Sequence, residues 1–209
     1  MNVLILFEFS GALRQAFMRH GHHAVSVDLR EGEGEGEHIV GDAYQYGMLN
    51  GSNFDLIIAH PPCTYLTNAG VRWLKGNPER WRQMERATTQ FTWLQMLECP
   101  HIAIENPVMH GHARKRIYDW PVCTTQPWQF GHLEKKRTCW WLKNLPPLEP
   151  VTDLLQETNA LPMKEQQRVF YMSPGPEREK ERSRTLEGVA NAIADQWGRY
   201  VELQSTIDH

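Results

Sequence analysis

Residues 55–65 read Asp-Leu-Ile-Ile-Ala-His-Pro-Pro-Cys-Thr-Tyr, and no other stretch limits the fold as strongly. The run Leu56 to Ala59 suits a strand buried on both faces. Pro61 and Pro62 end it, because proline has no amide hydrogen and a fixed φ. Cys63 is therefore delivered on a sharp loop at the strand's carboxyl end, the edge where open α/β sheets bind ligands. The same letters also describe a buried cysteine in a proline turn, so the remaining chain has to decide between the two.

Composition narrows the choice. The 209 residues suffice for one sizeable core, and 41% hydrophobic with 22% charged residues is ordinary for a globular chain. A net charge of -3 excludes the global basic field of an avid non-specific nucleic-acid binder, so any such contact must come from a local patch. The four cysteines, Cys63, Cys99, Cys123 and Cys139, form no C-x-x-C pair, which argues for free thiols in a cytoplasmic protein and against zinc. No signal-peptide pattern and no membrane-spanning run is seen, so no membrane partner is expected.

Val3 to Phe7 is a continuous apolar run suited to a central parallel strand. Glu8-Phe9-Ser10-Gly11 breaks it, and Ala12 to His20 is helical, with Leu13, Ala16 and Phe17 at core spacing. Such a strand, turn and helix presents backbone N–H groups to a nucleotide, which makes Phe9, Ser10 and Gly11 cofactor-site candidates. His22 to Val27 is a second strand ending in Asp28, placed to accept from ribose hydroxyls. Glu31 to Glu37 alternates Gly and Glu and is expected to be a mobile, solvated loop. His38 to Val40 is a third strand. Asp42 beyond it is placed either to accept from an adenine amino group or to cap the helix that follows.

Phe54 to Ala59 is the fourth strand, and the polar stretch Tyr65 to Asn77 is a loop suited to closing over a site. Glu79 to Leu97 is a long helix, and His101 to Ile104 is a fifth strand leading into Glu105-Asn106-Pro107. Glu105 thus reaches the same edge as Cys63. Met109 to Trp120 carries Arg114, Lys115 and Arg116, a basic patch for a phosphate, while His110 and His112 splay apart and predict no metal site. Cys123 to Phe130 is expected to contain a sixth strand, a charged turn holds Lys135, Lys136 and Arg137, and Thr138 to Leu142 is a strand antiparallel to its neighbour. Residues of about 143–184 form a small insertion or cap, partly flexible. From Thr185 a helix bearing Val189, Ala192, Ile193 and Trp197 docks back on the sheet and frays from about Leu203.

Taken in this order, the motifs resemble the DNA cytosine-5 methyltransferase family. Phe9-Ser10-Gly11-Ala12-Leu13 is similar to the family's Phe-x-Gly-x-Gly, with Leu13 in place of the second glycine. Asp28 matches its ribose acid and Asp42 its adenine-contacting aspartate. Pro61-Pro62-Cys63 matches the Pro-Pro-Cys loop, with Thr64 where glutamine is usual, and Glu105-Asn106-Pro107 resembles Glu-Asn-Val. Glu134-Lys135-Lys136-Arg137 echoes Gln-x-Arg-x-Arg, and Gly188 to Asn191 echoes the terminal Gly-Asn segment. The large target-recognition domain of the family is missing, which makes the chain similar to compact bacteriophage and prophage forms.

The resemblance implies one α/β domain over residues 1–209, a Rossmann-like fold with a mainly parallel sheet and helices on both faces. It implies S-adenosylmethionine as cofactor, held by Phe9, Ser10, Gly11, Asp28, Asp42, Pro61 and Asn191. Cys63 would be the nucleophile towards carbon 6 of cytosine. Glu105, a buried carboxyl with raised pKa, would serve ring nitrogen 3. Pro62, Asn106, Arg114, Lys136 and Arg137 would contact the substrate, which is single- or double-stranded DNA or a cytosine nucleotide. The lost glycine and Thr64 leave room for a modified, carboxymethyl-type donor. A silent cofactor- or nucleic-acid-binding protein is the reading from another class, disfavoured because it needs neither Cys63 nor Glu105. An amino-methyltransferase is disfavoured because His60-Pro-Pro-Cys63 lacks the acid or amide and the aromatic of its loop.

Overall fold

The computed structural model describes residues 1–117 and 119–207. Seven strands form one sheet: β1 (Asn2–Leu6), β2 (His23–Asp28), β3 (Glu37–Val40), β4 (Leu56–Ala59), β5 (His101–Pro107), β6 (Cys123–Thr125) and β7 (Thr138–Lys143). Their order is β3-β2-β1-β4-β5-β7-β6. β1 to β5 pair in parallel, whereas β7 runs antiparallel to both β5 and β6.

Side-chain alternation splits each central strand between two cores. Leu4 and Leu6 of β1 and Ile57 of β4 face one side, which holds Met84, Phe91 and Leu94 of α3 (Pro78–Gln95) and Ala43 of α2 (Ala43–Asn50). Val3, Ile5, Leu56 and Ile58 face the other, against Leu13, Ala16 and Phe17 of α1 (Ala12–Arg19) and Ile193, Trp197 and Val201 of α9 (Glu187–Ile207). Burial on both faces explains why β1 and β4 are apolar without a break. α9 continues past Leu203 to Ile207, so the fraying expected there is absent up to the last described residue.

The sixth strand expected within Cys123 to Phe130 occupies Cys123–Thr125, and Pro127 then opens a 3-10 turn (Pro127–Phe130) closed by reciprocal Gln126 and Gln129 hydrogen bonds. One further expectation changes. The Gly-Glu loop is solvated but pinned: Arg14, fully buried on α1, donates to the carbonyls of Glu33 at 2.6 Å and Glu35 at 2.9 Å. A buried guanidinium must find acceptors, and loop carbonyls supply them. The α4 turn (Gly111–Arg114) follows β5. Residues 143–184 carry four short helices: α5 (Leu155–Ala160), α6 (Met163–Gln166), α7 (Arg168–Tyr171) and α8 (Pro176–Ser183). No described helix is long and apolar enough to cross a membrane.

Candidate active site

The strand order reverses between β1 and β4, and the loops leaving their carboxyl ends flank a crevice. On the β1 side, Phe7 is held at φ 62 and Gly11 at φ 73. A side chain at Gly11 would place its Cβ 2.4 Å from the Glu33 carbonyl oxygen, so only glycine allows the loop to lie on this turn. With no side chain at the N-cap, Glu8 performs the capping: its Oε1 accepts from Leu13 N at 3.3 Å and from Ser10 Oγ at 2.9 Å. Its Oε2 is buried and has no partner.

Asp28 ends β2, and its Oδ1 accepts from Arg30 N at 2.9 Å. Asp42 caps α2 through Oδ1, which accepts from Tyr44 N and Gln45 N. Phe9 is buried, and the cations of Arg30, Arg184 and Lys180 lie 5.2, 5.4 and 5.8 Å from its ring centre.

On the β4 side, Pro61 is buried, Pro62 exposed and Cys63 half-buried. The Cys63 carbonyl accepts from Leu66 N at 3.0 Å and Thr67 N at 3.2 Å, which folds the loop back on itself. Burial pushes the Cys63 thiol up from its ordinary value, and the charge of Glu105 adds to this; Arg182 and Lys136 oppose it. Arg182 donates to Sγ at 3.7 Å from the last turn of α8. The thiol is therefore protonated at rest, with cations in place to favour its thiolate.

Glu105 leaves β5 beside β4. Burial alone would raise its carboxyl, but the hydrogen bond from His60 at 3.1 Å, with the charges of His60 and Lys136, outweighs that and holds it below the ordinary carboxylate range. The raised value expected from burial is thus overturned by a partner 45 residues away. Asn106, next in β5, is fully buried, with both side-chain polar atoms unpartnered. Lys136 donates from Nζ to the carbonyls of Arg182 at 2.8 Å and Arg184 at 3.3 Å, tying the turn before β7 to α8. His60, Glu105, Lys136, Trp140 and Arg184 line a cavity of about 40 Å³, which Ser183 of α8 also borders.

Two expected site residues lie elsewhere. Asn191 accepts from Arg19 at 2.7 Å, across the α1–α9 contact, and is not a member of this cluster. Arg114 turns inward, donates to the Ile117 carbonyl and stacks 3.9 Å from the Trp120 ring centre; burial lowers its basicity, so it is not a free phosphate contact. Arg137 is exposed just before β7. Among the described residues no group of three or more His, Cys, Asp or Glu is arranged to hold a metal ion.

Sequence reasoning missed His60, Glu8 and Arg182. His60 was visible as the residue before Pro-Pro-Cys and Glu8 as the acid ending the first strand. Arg182 carried no local signal, since it meets Cys63 across 119 residues.

Five parallel strands in this order, with an antiparallel β7 inserted beside β5, are the Rossmann-like fold of S-adenosylmethionine-dependent methyltransferases. No protein-family model and no curated protein matches the chain. Similar solved structures include a candidate DNA modification methyltransferase encoded within an E. coli prophage, at 15% identity and TM-score 0.49 over 84% of this chain and 56% of that one. Another is the Dnmt2 methyltransferase of S. pombe, at 15% identity and TM-score 0.46 over 95% of this chain and 67% of that one. A candidate NADH-flavin reductase of Streptococcus pneumoniae also matches, at 12% identity and TM-score 0.34 over 59% and 57%. The chain thus spans little more than half the length of the prophage protein, and likenesses this distant leave the fold class resting on the strand order.

Proposed function

We propose that the protein transfers a methyl group from S-adenosylmethionine to carbon 5 of cytosine in DNA, with Cys63 as covalent nucleophile. The observation that carries this reading is the meeting of one thiol and one ionised carboxylate at the ends of neighbouring strands β4 and β5, across the crevice from the glycine turn after β1.

The residues around that turn fit the cofactor. Gly11 lets the Glu33 loop pack onto the turn, Asp28 ends β2 as an acceptor for ribose hydroxyls, and the unpartnered Glu8 Oε2 suits a cationic methionyl group. S-adenosylmethionine, when bound there, supplies an electrophilic methyl group. Cys63 supplies the electrons: its thiolate adds to carbon 6, which makes carbon 5 nucleophilic. Arg182 and Lys136 favour that thiolate, and Glu105 accepts from the exocyclic amine. Lys136 and Arg137 are the phosphate contacts in this reading, Pro62 and Asn106 border the base, and Phe9, Ser10, Pro61 and Asp42 line the cofactor side. A base within a duplex must be flipped out to reach Cys63.

A second donor is favoured by one feature, the Arg182 guanidinium beside Cys63. It is placed to pair with the carboxylate of a carboxymethyl-type S-adenosylmethionine.

Both donors are tested by mass spectrometry of the protein incubated, in separate reactions, with S-adenosylmethionine or its carboxymethyl-type form and an oligonucleotide containing 5-fluorocytosine. Fluorine at carbon 5 blocks the closing elimination, so the expected result is a covalent adduct in the parent and none in Cys63→Ala. The adduct mass identifies the transferred group. An adduct that persists in Cys63→Ala overturns the assignment of the nucleophile.

A further inference from the structure

His60 leaves β4 with its backbone N–H still donating to the Leu6 carbonyl at 3.1 Å, so the strand ladder fixes where the imidazole starts. Its Nδ1 is 3.1 Å from Glu105 Oε2, and its ring meets Trp140 edge-on with centres 6.1 Å apart. The side chain is only 9% exposed, Nε2 is buried without a partner, and the residue lines the cavity shared with Glu105, Lys136 and Arg184. Leaving a buried polar atom unpaired is costly, so this orphan on a cavity-lining residue is an unfilled ligand contact. An ionised carboxylate only accepts, which makes Nδ1 the donor of the pair and leaves Nε2 as the atom presented to whatever enters.

We infer that His60 carries the proton to and from ring nitrogen 3 of the target pyrimidine, with Glu105 remaining ionised as its partner and as acceptor for the 4-amino group. This rests on the cytosine-5 reading above and changes which residue handles the proton.

The step balances. Protonated His60 holds hydrogens on both nitrogens. As the Cys63 Sγ–carbon 6 bond forms, the carbon 5–carbon 6 π pair moves to carbon 4–carbon 5. The carbon 4–nitrogen 3 π pair moves onto nitrogen 3, which takes the Nε2 proton. The imidazole is then neutral and keeps its Nδ1–H on Glu105. The carbon 4–carbon 5 pair then forms the bond to the new substituent, whose bond to the donor's sulfur breaks with that pair left on the departing thioether, while the nitrogen 3 pair re-forms carbon 4–nitrogen 3. Water next removes the carbon 5 proton, and that pair forms carbon 5–carbon 6 as the carbon 6–Sγ bond breaks and its pair returns to Sγ. Nitrogen 3 returns its proton to Nε2. His60 ends as it began, and the proton released is that of carbon 5.

The same pair reads the base. A donor at Nε2 beside an acceptor on Glu105 complements nitrogen 3 and the 4-amino group of cytosine. It opposes uracil and thymine, which present N3–H and a 4-carbonyl.

The charged groups facing His60 are Glu105 from β5, Lys136 from the turn before β7 and Arg184 beyond α8, with Trp140 of β7 as the apolar neighbour. The test is the pH profile of single-turnover methylation for the parent, His60→Gln and His60→Asn, with 5-fluorocytosine trapping and thermal melting alongside. The parent rate should fall on an alkaline limb. Gln places a non-titrating N–H near the Nε2 position, so that limb should vanish and the rate fall by about 10²–10⁴-fold. Asn keeps a donor to Glu105 near the Nδ1 position but offers nothing to the base; it should fold normally and be as slow or slower. A merely structural His60 would be rescued by Asn, and that result, or an unchanged alkaline limb in His60→Gln, overturns the inference while the parent's adduct upholds the cytosine-5 reading. No adduct in the parent on single strands, duplexes or nucleotides overturns both.

Discussion

The two walls of the site are built by different forces. On the sheet side, all four residues of β4 and all but the first of β1 are fully buried, so apolar packing on both faces holds Cys63, His60 and Glu105. On the cover side, α7 and α8 bury no residue, and α5 and α6 bury only Thr158 and Gln166. That wall is held by charge: Lys180 and Arg184 reach Glu33 at 2.6 and 2.7 Å, and Arg168 bridges Glu134 and Glu181 at 3.2 and 3.3 Å. Hydrophobic packing is not screened by mobile ions, whereas exposed ion pairs weaken as salt is added. The reacting groups thus sit on a stiff base, under a lid whose attachment depends on ionic strength and pH.

Three measurements would break or sharpen this contrast. The largest effect is expected from Trp197→Ala, since Trp197 is fully buried, packs edge-on against Trp140 and donates to the Pro146 carbonyl at 3.0 Å. Denaturant unfolding should show a loss of about 3–5 kcal/mol. A loss below 1 kcal/mol would mean that the sheet side is not held as described.

Gly11→Ala comes next, because it acts where the walls meet. A left-handed backbone with a Cβ 2.4 Å from the Glu33 oxygen should lower stability by about 1–2 kcal/mol and release the Gly-Glu loop to faster amide exchange. Unchanged exchange at residues 32–36 would contradict the close approach.

The smallest effect belongs to Glu33→Gln. Hydrogen bonds from Lys180 and Arg184 hold the Glu33 carboxyl below its ordinary value of 4.5. A depressed carboxylate stabilises fully above the unfolded value and loses that contribution as pH falls through the folded one. Because these side chains are about one-third exposed, the contribution is at most about 1 kcal/mol. Parent amide exchange over residues 176–186 should therefore rise below pH 4.5 or in high salt, while Glu33→Gln should be fast already at neutral pH. Slow exchange in the variant at low salt would show that something other than Glu33 holds the cover.

What sequence could reveal follows the same division. Apolar runs marked β1, β4 and β5, and i, i+3, i+4 spacing marked α1, α3 and α9, because those elements are defined by the core they face. Glu105 and Cys63 were legible because each closes an apolar run at the ligand edge. The cover was legible only as a polar stretch: Pro-Glu-Arg-Glu-Lys-Glu-Arg-Ser over α8 has no apolar face to betray its docking. The state of Glu105 was misjudged because burial could be inferred from its strand, but the His60 hydrogen bond that reverses the shift is a tertiary fact. Arg14 gave the same lesson, since an arginine on a core helix finds its acceptors in a loop that composition marked as solvent-exposed.

The packing of α9 on α1 also sets a timetable. Leu13, Ala16 and Phe17 lie in one core with Ile193, Ala194 and Trp197, so the first helix of the chain is covered by the last one described. At roughly 5–20 residues per second, ribosomal synthesis of the intervening chain takes on the order of 10–40 s. For that interval the nascent βα unit shows an open apolar face, which makes newborn chains clients for chaperones and exposes them to aggregation when translation stalls before α9.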